Sequence, residues 1–174
     1  MVQTEKRTLS RADCKEQRWP SSRPLHDSSL GSAPACLGSK ADDLWELLPA
    51  ELRPQAPGRW LVVGGCGARD QLHRHPPWLG WDRLLAGSKR WRLLPPDAKI
   101  ASHAIGTCGA MASGVDAFGE VDAVGASSGS QSLSFFEARQ APGDTLLVPP
   151  GWWQQELHEA GPTISVVSQL LNEQ

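Results

Sequence analysis

Short apolar runs closed by glycine or proline set the rhythm of this chain from Arg59 onward. Arg59-Trp60-Leu61-Val62-Val63 ends at Gly64-Gly65, which predicts a buried strand. Gln71 to His75 predicts a second strand, stopped at Pro76-Pro77 because proline cannot donate to a sheet ladder. From Lys89 to Leu94 basic and apolar residues alternate before Pro95-Pro96. A strand there places Lys89 and Trp91 on one face and Arg90 and Arg92 on the other. Ser134 to Glu137 and Thr145 to Val148 predict two more strands around the turn Ala141-Pro142-Gly143-Asp144. Trp152 to Leu157 starts another, and Thr163 to Ser168 is the clearest alternating strand in the chain. Trp78 to Ala86 fits a helical turn or a bulged strand equally well. Many short strands with little helix point to a β-sandwich or barrel.

The flanks read differently. Residues 1 to about 40 are rich in Ser, Pro, Arg and Lys and show no sustained period, so they are expected to form a mostly disordered leader. Asp42 and Asp43 are suited to cap a short helix through Leu44, Trp45, Leu47 and Leu48, limited by Pro49 and Pro54. Between about 98 and 134 Ala, Gly and Ser dominate, which predicts a low-complexity, flexible insert. Val115, Phe118, Val121 and Val124 are spaced by three, as in a weak helix, but the glycines oppose a long one. One domain over 41–174, carrying that insert, follows a leader over 1–40.

At 174 residues the chain is long enough to bury a core. A net charge of −2 with interspersed signs gives no electrostatic case for nucleic acid or an anionic membrane. Cys14, Cys36, Cys66 and Cys108 are scattered without metal-like spacing. They suit free thiols in a reducing compartment, although four cysteines also suffice for two disulfides. With no signal-like or membrane-length apolar run, a soluble cytoplasmic or nuclear protein is expected.

The candidate chemistry begins at His73 and His75. Two apart on a strand, they point to one face and can share a metal ion, with Arg74 turned away. The same pair beside two prolines also suits an exposed strand end. Three separated motifs decide the matter: Gly67 to His75, the run Gly87-Ser88-Lys89-Arg90-Trp91 ending at Pro95-Pro96, and Pro142-Gly143-Asp144 through Val148-Pro149-Pro150-Gly151-Trp152-Trp153. Together they resemble the JmjC family of cupin-fold iron(II)/2-oxoglutarate oxygenases, in particular the small branch that includes the arginine demethylase/lysyl hydroxylase type. The resemblance covers roughly half of the chain. It implies an all-β double-stranded β-helix (a cupin or jelly roll), iron(II) and 2-oxoglutarate as cofactors, and hydroxylation or demethylation of a protein side chain.

The family's iron sits on two histidines and one carboxylate, with a lysine holding the far carboxylate of 2-oxoglutarate. By that resemblance His73 is the first metal ligand, His75 occupies the carboxylate position and Gln154 the second histidine position. Lys89 is the cosubstrate lysine. Asp82 stands where an asparagine is common, and the polar residue of the last strand falls at Val167 or Ser168. With two of three ligand positions changed, no carboxylate remains among them, and no catalytic residue is assigned. Glu156, two residues beyond Gln154 and roughly 6–7 Å along the strand, would restore a carboxylate in permuted order. His158 is about 13 Å along and too far; both are otherwise expected as solvated edge residues. The residues therefore leave three readings: an oxygenase with reduced or lost activity, a non-catalytic cupin-fold binding module, and a truncated fragment.

Overall fold

The structure, a computed structural model, describes the backbone of residues 21–25, residue 49, and residues 59–105, 110–119 and 133–170. All regular structure among the described residues is β. β1 (Ser21–Leu25) pairs with β2 (Arg59–Gly64), and β2 pairs with the C-terminal part of β9 (Trp153–Leu170). The N-terminal part of β9 pairs instead with β3 (His73–Arg74), which leads through β6 (Ala110–Ala112) to β5 (His103–Ile105). Along its other side β9 follows the whole of β4 (Leu79–Leu94). The far edge of β4 carries β8 (Thr145–Val148) at one end and β7 (Phe136–Gln140) at the other. Every pairing is antiparallel.

β4 and β9 thus belong to both halves of the sheet, and each turns a corner between them. The register between them shifts three times from Leu84 to Lys89. Gly87 (φ 84°) and Gly161 (φ 60°) take the left-handed conformations the corners require. A Cβ on Gly87 would lie 2.6 Å from Thr163 Cγ2, so the two corners pack backbone against side chain. The extra residues invert which positions face inward. In β4 the buried positions in phase with the interior are Asp82 and Leu84 before the corner, then Lys89, Trp91 and Leu93 after it, with Trp81 and Leu94 buried in the opposite phase. In β9 the inward phase holds Gln154, Glu156 and His158, then Thr163 and Ser165, with Trp153, Gln155 and Val166 buried in the opposite phase.

One distance proves the closure. Seven residues of straight strand would separate Asp82 from Lys89 by about 23 Å, yet Lys89 Nζ lies 2.7 Å from Asp82 Oδ2. The sheet has folded over on itself, and the chain is a double-stranded β-helix with a polar interior. Its apolar core lies on the outer face of the same strands. Leu72, Leu94, Ala117 and Trp153 are buried there, covered by Ile100, Met111, Val115 and Phe135. Arg74, one residue from His73, stacks on Trp153 at 5.1 Å.

Several expectations change. Of Trp78 to Ala86, all from Leu79 onward is strand, and the two segments expected at Trp152–Leu157 and Thr163–Ser168 are one continuous β9 from Trp153. The strand expected at Ser134–Glu137 starts two residues later. Ser21–Leu25, inside the expected disordered leader, is β1, and β5 and β6 lie inside the expected flexible insert. Within it Ala112 is fully buried opposite His73 of β3, while β5 is exposed. The described part of the weak helix, 115–119, is a turn closed by Gly119 N donating to Asp116 O at 3.1 Å. The capped helix at 42–48 lies outside the described residues.

Candidate functional site

β3 and β9 pair so that His73 lies opposite Gln154. His73 Nδ1 lies 2.8 Å from the Gln71 carbonyl and 3.2 Å from Asp70 Oδ2, which makes it the donor. Its Nε2 then accepts, and two groups approach that lone pair: Gln154 Nε2 at 3.2 Å and His75 Nε2 at 3.3 Å. The three residues assigned to metal by resemblance are therefore brought together at the barrel mouth. Burial, with the His73 ring adding to it, lowers the His75 pKa to about 3, so that ring stays neutral. Burial pushes the Asp70 carboxyl up to about 6 against the pull of His73, and the charge of Glu156 adds to the rise.

Deeper in, Lys89 is fully buried. An ammonium has three N–H donors. All three are taken, by Glu156 Oε2 at 2.6 Å, Asp82 Oδ2 at 2.7 Å and Ser165 Oγ at 2.8 Å. Glu156 Oε1 accepts from His158 Nε2 at 2.9 Å, and His158 Nδ1 is hydrogen-bonded to Thr163 Oγ1, which also reaches the Gly64 carbonyl. On the other side Gln140 donates to Asp82 Oδ1 at 3.0 Å and accepts from Trp91 Nε1 at 2.9 Å. Burial alone would raise the Glu156 carboxyl, but Lys89 and His158 hold it at about 2. Burial alone would lower Lys89, and Glu156 and Asp82 raise it instead. For Asp82, burial outweighs the pull of Lys89, and the nearby Glu156 charge adds to the upward shift. Glu156 and Asp82 thus both face the Lys89 ammonium, and their pKa values are driven in opposite directions.

The family's cofactors can be tested against these donors. Two metal-bound nitrogens at ~2.0–2.1 Å from an ion sit about 3.0–3.4 Å apart, so the spacing of the imidazoles suits one edge of a metal site. The rest does not fit. Gln154 turns its amide nitrogen to the lone pair an ion would need, and no carboxylate joins the pair, since Asp70 lies at the other ring nitrogen, where it would orient the ring and not ligate. Among the described residues no group of three or more His, Cys, Asp or Glu is placed to hold a metal. Lys89 has no donor left for an incoming carboxylate. The donor set is that of neither iron(II) nor 2-oxoglutarate.

Lys89 and Trp91 do share the inner face. Glu156 and His158, expected as solvated edge residues, are instead 6% and 0% exposed. Glu156 does not join the histidine pair; Lys89 holds it. Ser165 and Thr163 went unassigned. The signal available was the alternation of polar residues at Gln154, Glu156 and His158, a polar inner stripe that becomes visible once β9 is recognised as paired with the Lys89 strand.

No protein-family model matches the chain. It is 35% identical over 134 residues to the bifunctional arginine demethylase and lysyl-hydroxylase psr-1 of Caenorhabditis briggsae, an alignment covering 72% of this chain and 32% of that protein. The psr-1 protein of Caenorhabditis elegans is 35% identical over 127 residues, 68% of this chain and 30% of that one. The lysine-specific demethylase JMJ21 of Arabidopsis thaliana is 31% identical over 144 residues, 76% of this chain and 14% of that one. The chain thus spans about a third, or less, of the length of these relatives. Among solved structures, oxalate oxidase superposes over 65% of the chain at 14% identity and a TM-score of 0.40, too distant to bear on chemistry. With three separated motifs in register on one barrel and these alignments across most of its length, the chain belongs to the JmjC family.

Proposed function

We propose that this chain is a JmjC-type domain that engages a protein side chain, and that its own oxygenase turnover is weak or lost. One observation carries the reading: every donor of Lys89 is bound to the protein's own oxygens, at 2.6, 2.7 and 2.8 Å. A domain of this family needs that lysine to hold 2-oxoglutarate, and here it has no free donor. The names of the relatives, arginine demethylase, lysyl-hydroxylase and lysine-specific demethylase, support an arginine or lysine side chain of a protein as what the barrel engages. A cytoplasmic or nuclear address suits such a partner, and among the described residues no helix is long and apolar enough to cross a membrane.

A second reading keeps oxygenase activity, with iron(II) held by His73, His75 and Gln154 and 2-oxoglutarate by Lys89. The convergence of three side-chain nitrogens at 3.2 and 3.3 Å favours it. Any such activity would draw its oxidising chemistry from the iron and its cosubstrate, while the barrel would orient the side chain and exclude water. The test is succinate release from 2-oxoglutarate with iron(II) and ascorbate, comparing the full chain with His73→Ala. The proposal expects equal, background release from both. Succinate from the unaltered chain well above the variant overturns it in favour of the second reading.

A further inference from the structure

The Glu156 carboxylate is bound as an exogenous carboxylate would be. One oxygen takes the Lys89 ammonium at 2.6 Å and the other takes His158 Nε2 at 2.9 Å. Both donors are fully buried, and each oxygen has its own. We propose that Glu156 is a tethered ligand of Lys89 and His158, and that removing its side chain uncovers a binding site for a small carboxylate at the centre of the barrel. The idea deepens the reading above and rests on it for the nature of the pocket, but it concerns binding and not turnover.

Three features make the site one that survives loss of its occupant. Lys89 keeps Asp82 and Ser165 at 2.7 and 2.8 Å, so a one-to-one charge pair remains when Glu156 is gone. His158 keeps Thr163 through Nδ1, and its backbone stays tied to the 65–68 loop, with His158 N donating to Ala68 O at 2.9 Å and Gly67 N to His158 O at 2.8 Å. The backbone of residue 156 is pinned opposite Trp91 in the β4–β9 ladder, so truncation removes the side chain without moving the strand. Gln154 points to the same face two residues earlier, roughly 6–7 Å away, at a mouth where His73 is 17% exposed. A monocarboxylate the size of formate or acetate matches the atoms that Glu156→Ala deletes.

The experiment uses the full chain and thermal unfolding in sodium acetate against sodium chloride at equal ionic strength. Glu156→Ala is expected to melt below the unaltered protein in chloride. Acetate should then raise its midpoint saturably by several degrees, as binding to the folded state alone requires. The unaltered protein and Glu156→Gln, whose slots are filled, should respond no more to acetate than to chloride, and Lys89→Met/Glu156→Ala should lose the response. If Glu156→Ala folds only when acetate is present, that also supports the proposal. Equal response to acetate and chloride, an equal acetate shift in the unaltered protein, rescue that survives loss of Lys89, or failure to fold in either salt overturns it. Succinate release by the unaltered chain would sink the functional reading while leaving this result intact, so the two failures are separable.

Discussion

Gln154 and Glu156 lie two residues apart on the same face of β9 and preside over two polar groups that differ in almost every physical respect. At Gln154 the partner is the His73 ring, 17% exposed, whose Nε2 lies within reach of both Gln154 and His75. At Glu156 the partners are a buried ammonium and a buried histidine, and every hydrogen-bonding site of the lysine is used. Losing one partner in the first arrangement removes a single hydrogen bond. Losing one member of the second leaves a charge where water cannot reach it. The region that resembles a metal site is therefore expected to contribute less to stability than the buried group around Lys89.

The contrast can be broken from the inside outward. Lys89→Met strands Glu156 and Asp82 without their cation and should cost about 3–5 kcal/mol in urea unfolding; a loss near zero would mean the charges are not mutually dependent. A smaller effect follows from pH. Glu156 has its folded pKa lowered from 4.5 to about 2. It therefore contributes stability above pH 4.5 that is lost as pH falls towards 2, on the order of 3 kcal/mol. Asp70, raised from 3.8 to about 6, works the other way. Its contribution is present at low pH and lost as pH rises through that interval. Glu156→Gln should remove the limb between pH 4.5 and 2 and leave the Asp70 limb; an unchanged acid limb would contradict the assignment.

Gly64→Ala comes next. Its Cβ would fall on the His158 ring, so the imidazole must yield. A loss of about 1–3 kcal/mol is expected, and a neutral result in thermal unfolding would place His158 elsewhere. The smallest effect belongs to the mouth. His73→Ala should shift stability by about 1 kcal/mol, because it removes single hydrogen bonds at the partly exposed end of the group. A loss as large as that of Lys89→Met would erase the distinction between the two regions.

Much of this fold was legible in the sequence because the Gly/Pro punctuation and the separated motifs fix strand ends independently of register. The meeting of His73 with Gln154 followed from the family resemblance, and so did the inward aspect of Lys89. The role of Glu156 did not. Its burial depends on the corners at Ala86–Ser88 and Ala160–Pro162, where extra residues invert the inward phase and bring Lys89 back over Asp82. A linear alternation rule assigns a single phase to each strand, and β4 and β9 have two. The same corners explain why β9 read as two strands and why Trp78 to Ala86 read ambiguously. The strands β5 and β6 of the expected insert were hidden by composition, since three-residue runs such as Ala110–Ala112 carry no alternating pattern, although Ala112 is fully buried opposite His73.

The claim that the barrel has filled its own cosubstrate position is tested most directly by calorimetric titration of 2-oxoglutarate into the full chain, with iron(II) kept reduced. The account predicts no saturable heat up to about 1 mM ligand, because Lys89 has no donor to offer. Stoichiometric binding in the micromolar range, lost in Lys89→Met, would contradict it.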